Sequence, residues 1–381
     1  MSNISLLVGL KNNLDYTKFF YSHTRSIYPN VEICFVSYGS TDGTHEWLHQ
    51  LKDQNVKYFI SDETKTLADA YNKAAQIATN EYVAYLHNDM VLSDTFISNL
   101  LSDLTETTVV AYTTVEPPIF GYHERPGKIV KDFGIDIVNY NDDMFQSFNK
   151  YHLSNNNPEL INWDTQKDGI SFFISVHKAT LLSMRGLDNL FNPFFCEDDD
   201  LIRRFKLNNL NMKISLKALC YHFVSKTSRF SEEFKNTSST IEAKSNRNYI
   251  RKWGCRTEAP KYNIVAFITN PNIDLVYHIE PFFDKILIDN DQIKSQYLQH
   301  EQNNTKINLS DKIQNTNTNI DSNYSILNID GSKFDRNDFI FINNIMNEIS
   351  KINTIGQHQI GNLTLQINSL EDHQKELIKN A

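Results

Sequence analysis

The chain has 381 residues but only four cysteines, Cys34, Cys196, Cys220 and Cys255, widely spaced and without a Cys-x-x-Cys pair. That pattern excludes a thiolate zinc site and argues against a disulfide framework. A reducing cytosol is the expected compartment. Long apolar runs are also missing. The first, Ile4 to Leu10, is too short for the core of a signal peptide, and no stretch approaches the ~20 apolar residues of a membrane span. A soluble, cytoplasmic protein is expected, with peripheral membrane contact left open. Basic residues are in the minority: 37 Lys and Arg against 46 Asp and Glu leave a net charge of -9. A nucleic-acid partner is therefore not expected, because phosphate backbones select basic surfaces. An acidic chain can still take an anionic nucleotide if it supplies a divalent cation.

What is present is enough apolar material to fold. Hydrophobic residues make up 40% of the chain, with 24 Phe and 18 Tyr, so disorder over the whole length is excluded. The length suggests two or three domains. Strand and helix signals alternate over the first 110 residues. Ile4–Leu10, 31–37, 56–60 and 81–86 read as buried strands, and 14–26, 44–52 and 67–79 as helices. This alternation predicts βαβ units, a mostly parallel sheet, and a ligand at the carboxyl ends of its strands. Residues 111–168 are less regular. Further strands are expected at 169–176 and 213–219, and helices at 201–208 and 231–253. After Pro260 the pattern restarts, with strands at 262–269, 285–289 and 324–330 and a helix at 338–352. The division expected is a catalytic domain over 1–260 and a small α/β appendage over 261–381. Within the appendage, the Asn-rich stretch 299–323 reads as a mobile connector.

Four stretches carry chemistry. Leu86-His87-Asn88-Asp89 places a carboxylate just past a buried strand, where it can hold Mg²⁺ or Mn²⁺ or simply cap the next helix. Glu197-Asp198-Asp199-Asp200 crowds four carboxylates before a helix. Repulsion and burial there raise pKa values, as a general base requires, although the helix dipole alone also favours acids at that position. His222 follows a strand among aromatics, with Lys226 and Arg229 soon after. Ser37-Tyr38-Gly39-Ser40-Thr41-Asp42-Gly43-Thr44 reads as a tight turn entering a helix.

In this order, VSYGSTDGT, LADAYNKAAQIAT, EYVAYLHNDMVLSDTF, GISFFISVHKATLLSMRGLD, FNPFFCEDDDLIRRFKLNNL, ISLKALCYHF and NYIRKWG resemble the family 2 glycosyltransferases of the GT-A fold. The likeness covers residues 3 to about 254. It implies that Asp89 holds Mn²⁺ or Mg²⁺ on the donor diphosphate, as the last Asp of the family's Asp-x-Asp, with His222 assisting. It implies that Asp198 is the general base, with Glu197 beside it. Leu10, Ser37, Asp69, Asn88 and Arg229 are the implied donor-binding residues. The donor implied is a nucleotide-sugar, by default a UDP-sugar, and the acceptor a carbohydrate or other hydroxyl. Self-association is left open. Two positions depart from the family: His87 stands where its first Asp would be, and Ser37-Tyr38 where an Asp-Asp pair is usual. A nucleotidyltransferase and a non-catalytic nucleotide- or carbohydrate-binding module are the alternatives. The single Gly of LLVGLKNN speaks against the first of these.

Overall fold

The structure, a computed structural model, describes residues 3–224 and 234–379. The chain divides into two compact units, 1–239 (with 379–381) and 240–378. No helix among the described residues is long and apolar enough to cross a membrane.

The first unit is built on a ten-stranded mixed sheet. Its strands are β1 (Ile4–Leu10), β2 (Glu32–Tyr38), β3 (Val56–Ser61), β4 (Tyr82–Leu86), β5 (Met90–Leu92), β6 (Thr108–Glu116), β7 (Lys128–Val130), β8 (Leu160–Asn162), β9 (Ile174–His177) and β10 (Asn211–His222). The order across the sheet is β3-β2-β1-β4-β9-β6-β10-β5, with β7 on β6 and β8 on β10. β1 to β4 run parallel, joined by helices Leu14–Ile27, Thr44–Gln50 and Leu67–Ile77. β6 and β10 are also parallel, and β9 lies antiparallel between β4 and β6. Continuous burial of β1 and β2 explains their unbroken apolar sequence, since helices cover both faces of such strands.

The parallel half lies within a residue or two of the sequence expectation. Other elements do not. The strand expected over 169–176 is confined to Ile174–His177, leaving 170–173 as an irregular segment at the site. β10 runs on to His222 and so places that residue in the sheet. The helix expected at 201–208 begins at Glu197, and the acidic residues form its first turn. β6 and the helix Asp142–Asn156 fall in or beside 111–168, the stretch that the sequence marks only as less regular.

The second unit carries six strands: β11 (Ile264–Thr269), β12 (Lys285–Leu287), β13 (Ile313–Gln314), β14 (Ser325–Asp330), β15 (Gly356–Ile360) and β16 (Leu363–Ile367), ordered β13-β12-β11-β14-β16-β15. The first four in that order are parallel, and β16 runs antiparallel to both β14 and β15. The stretch 299–323 contains the short helix Leu309–Lys312 and β13, with Leu309 and Ile313 in the core. The helix Ser238–Trp253, placed before the boundary at 260 by sequence, falls almost wholly within this unit. Its Arg251 is buried and donates to Glu280 at 2.7 Å and to Glu301 at 2.6 Å; Lys312 meets Glu280 at 2.7 Å.

Candidate active site

The carboxyl ends of β1, β2 and β4 form one rim of the first sheet. There, Gly9, Leu10, Lys11, Tyr38, Lys65 and His87 help line a pocket of about 240 Å³, together with Phe194 and Phe234. Close approach requires Gly9 to lack a side chain, because a Cβ would lie 2.9 Å from the Tyr71 ring. Lys11 donates to the Gly39 carbonyl at 2.8 Å, and the Lys65 ammonium stands 5.2 Å from the Tyr38 ring centroid. Among the described residues no carboxylate lines this opening, although Lys65 also pairs with Glu63 at 3.1 Å.

At the inner edge of this pocket three side chains converge. His87, Asp89 and His222 each offer a ligand atom, and these atoms lie within 4.8 Å of one another. His222 Nε2 is 3.5 Å and His87 Nδ1 3.9 Å from Asp89 Oδ1. The arrangement follows from the sheet. His87 and Asp89 leave β4, and the antiparallel pairing of β10 with β5 sets His222 opposite Met90. Asn88, between the two ligands, points the other way and donates to Thr17 Oγ1 at 2.9 Å, which fixes the turn.

Behind the cluster, His222 Nδ1 lies 3.1 Å from Glu116 Oε1, and Lys128 holds the other Glu116 oxygen at 2.8 Å. A carboxylate on the far nitrogen is what orients a metal-ligating imidazole. Burial alone would lower the pKa of His222, but the charges of Asp89 and Glu116 outweigh it and push the value up to about 9. His87 is held down to about 4, chiefly by burial. Burial works against ionisation of Glu116 as well, yet His222 and Lys128 bring it down to about 2. One carboxylate and two imidazoles, convergent and with Asp89 and His222 buried, fit a divalent cation that takes oxygen and nitrogen donors.

The acidic run lies across an aromatic partition. Phe172 packs against His87 with ring centroids 5.2 Å apart, and Phe172 and Asp198 line the same narrow crevice. Phe195 and Cys196 both take left-handed backbone conformations (φ 73° and 68°) immediately before the helix. Such strain costs of order 1–3 kcal/mol per residue and collects at functional sites. Burial, then the neighbouring charge of Asp198, drives the pKa of Glu197 well above the usual carboxylate range. Asp200 belongs to the core, where it accepts from Arg204 at 2.8 Å with both side chains fully buried.

Comparison with known proteins now adds to this geometry. Residues 5–175 match the model of glycosyl transferase family 2. Over that stretch the chain is similar to the family 2 glycosyltransferases. A curated relative from Escherichia coli, the UDP-Glc:α-D-GlcNAc-diphosphoundecaprenol β-1,3-glucosyltransferase WfaP, is 32% identical over 87 residues. That match spans 23% of this chain and only 35% of the relative's length. Among solved structures, GalNAc-T7 with UDP, GalNAc and Mn²⁺ aligns at 12% identity and TM-score 0.46, over 65% of this chain and 47% of that one. A mannosyltransferase from Pyrobaculum calidifontis with GDP-Man and Mn²⁺ aligns at 14% identity and TM-score 0.42, covering 66% and 63%.

Within the first unit, the residues singled out from sequence separate into two groups. Asp89 and His222 meet, and Leu10 lines the pocket. Ser37 is buried and bonds to Ser40 and His45, while Asp69 caps its helix and accepts from Asn189 at 2.9 Å. With Asn88, these support the rim and are not among the pocket's lining residues. Arg229 lies outside the described residues. Sequence reasoning did not propose His87 as a ligand, nor Lys11, Lys65, Glu116 or Lys128. For Glu116 the one available signal was the apolar run TVVAYTTV, which marks it as a strand end.

Proposed function

We propose that this protein is an inverting glycosyltransferase that moves a sugar from a nucleotide-diphosphate sugar, in the first instance a UDP-sugar, to a carbohydrate or other hydroxyl acceptor. The observation that carries the reading is the convergence of His87, Asp89 and His222 at the inner edge of a pocket lined by Lys11 and Lys65. Mn²⁺ or Mg²⁺ held by Asp89, His222 and His87 would neutralise charge gathering on the diphosphate as the sugar leaves. The nucleoside lies against Leu10 and Tyr38, with Lys11 and Lys65 meeting its anionic groups. Asp198, beside Glu197 and on the crevice that Phe172 lines, accepts the acceptor's proton. His222 is fixed by Glu116, so its Nε2 stays aimed at Asp89.

The test is a thermal-shift panel of UDP, GDP, ADP and their sugars on the full chain, with and without Mn²⁺. A metal-dependent shift is expected for one nucleotide, because a ligand that binds only the folded state stabilises it. Asp89→Ala should abolish that dependence and turnover while keeping the unliganded melting transition. An unchanged metal dependence would remove Asp89 from the site. Slow hydrolysis of the donor separates an enzyme from a binding module, which would show none.

A further inference from the structure

A second pocket, of about 150 Å³, opens on the other side of the aromatic partition. Glu116, Arg125, Lys128, Trp163, Ser171 and Phe172 are among its lining residues. It adjoins the ligand cluster directly. The Phe173 ring, also in its wall, lies 4.9 Å from His222 and 5.0 Å from His87, and Phe172 reaches the Asp198 crevice. His87 also lines the first pocket, together with Tyr71, whose ring centroid lies 6.4 Å from its own. The ligand cluster thus adjoins two cavities, as a two-substrate reaction needs.

The electrostatics of this second cavity are specific. Arg125 donates to two neutral carbonyls, those of Asp168 and of Ile170, the latter at 3.0 Å. Its guanidinium lies against Gly169, where a Cβ would run into Nη1. Gly169 also has φ 75°, a conformation that disfavours other residues. The cation is therefore seated by the backbone, and no carboxylate among the described residues forms an ion pair with it. Glu116 is shared between Lys128 and His222. Asp168 also lines the pocket, so two carboxylates and two cations face it, and among the described residues Arg125 is the cation that no carboxylate pairs with. Aromatic walls at Trp163 and Phe172 offer the apolar faces a sugar ring stacks on.

We propose that this pocket binds the acceptor, and that the acceptor is a sugar bearing a phosphate on its anomeric carbon, with Arg125 reading the phosphate. The planar guanidinium suits phosphate oxygens better than a point charge does. This rests on the glycosyltransferase reading above. A free sugar phosphate and a lipid-diphosphate-linked sugar share the recognised chemistry.

The experiment uses the full chain with Mn²⁺ and UDP present, following Trp fluorescence and calorimetric heats. The probes are glucose, glucose 1-phosphate, and the undecyl diphosphate ester of glucose. Glucose 1-phosphate should bind without displacing UDP, and glucose should bind far more weakly. Preference for the ester over the 1-phosphate would identify the lipid-linked source. Arg125→Ala should weaken both phosphorylated probes about ten- to hundredfold while leaving UDP binding unchanged. Gly169→Ala should do the same by displacing the guanidinium, with UDP binding again reporting an intact fold. Equal binding of glucose and glucose 1-phosphate, an unaffected Arg125→Ala variant, or competition with UDP would overturn the proposal. Loss of UDP binding by the unmodified chain would instead overturn the glycosyltransferase reading.

Discussion

Binding of Mn²⁺ should release a proton, and His222 is its source. In the metal-free chain His87, held near 4, is already neutral at pH 7, while His222, raised to about 9, carries a proton between Asp89 and Glu116. A metal takes only neutral imidazole, so this proton must leave. Below the pKa of His222, each pH unit adds 1.36 kcal/mol to the apparent affinity. From about pH 7 to about pH 8.5 the Mn²⁺ affinity should therefore rise about 30-fold, or about 2 kcal/mol. That window lies above the range in which a terminal phosphate titrates, near pH 6. Calorimetry with UDP present, in two buffers of different ionisation enthalpy, counts the protons directly. One proton per Mn²⁺ is expected at pH 7. Glu116→Gln removes one of the two anions that hold the His222 proton and should flatten the slope. A flat affinity across the window, or no proton released, would refute the assignment of His222 as a ligand.

Asp198→Asn should lower turnover by about 10²–10⁴ while donor binding persists, the loss typical of a missing general base; equal losses in both would make Asp198 structural. In the metal-free chain, stability from the raised His222 pKa is fully present below about pH 6.5 and is lost as pH rises through about 9. Urea titrations with chelator should show that decline, and added Mn²⁺ should remove it. In the second unit, Arg251→Ala leaves Glu280 and Glu301 buried with fewer partners and should destabilise that unit by about 3 kcal/mol in chemical denaturation. A chain ended at residue 239 should stay soluble and bind UDP better than one ended at 260, because the longer fragment exposes Trp253 and Arg251, both buried in the intact chain. Equal behaviour of the two fragments would contradict this boundary.

Much of the first unit was legible from sequence because helix-flanked parallel strands are buried on both faces. Their apolar runs, bounded by turn residues, leave little freedom in where β1 to β4 begin and end. Acidic residues at strand and helix ends marked Asp89 and Asp198 for the same local reason. What sequence could not supply was the direction of side chains at the rim. Ser37, Asp69 and Asn88 occupy the positions expected, yet each is turned into a hydrogen bond that supports the rim. His87 and Glu116 joined the site through pairings of strands distant in sequence. The fate of the Ser238–Trp253 helix was likewise undecidable locally, since the partners of its Arg251, Glu280 and Glu301, come from two later elements.

Sequence alone determined where apolar segments must be buried, how strands and helices alternate, and which residues carry charge near strand ends, because these depend on neighbours within a few positions. Only tertiary structure decided that His87, Asp89 and His222 share a site, that His222 keeps its proton, and that Arg125 rests on Gly169. Those outcomes depend on distances across the sheet and on desolvation, and both are set by residues up to 135 positions apart (87 to 222).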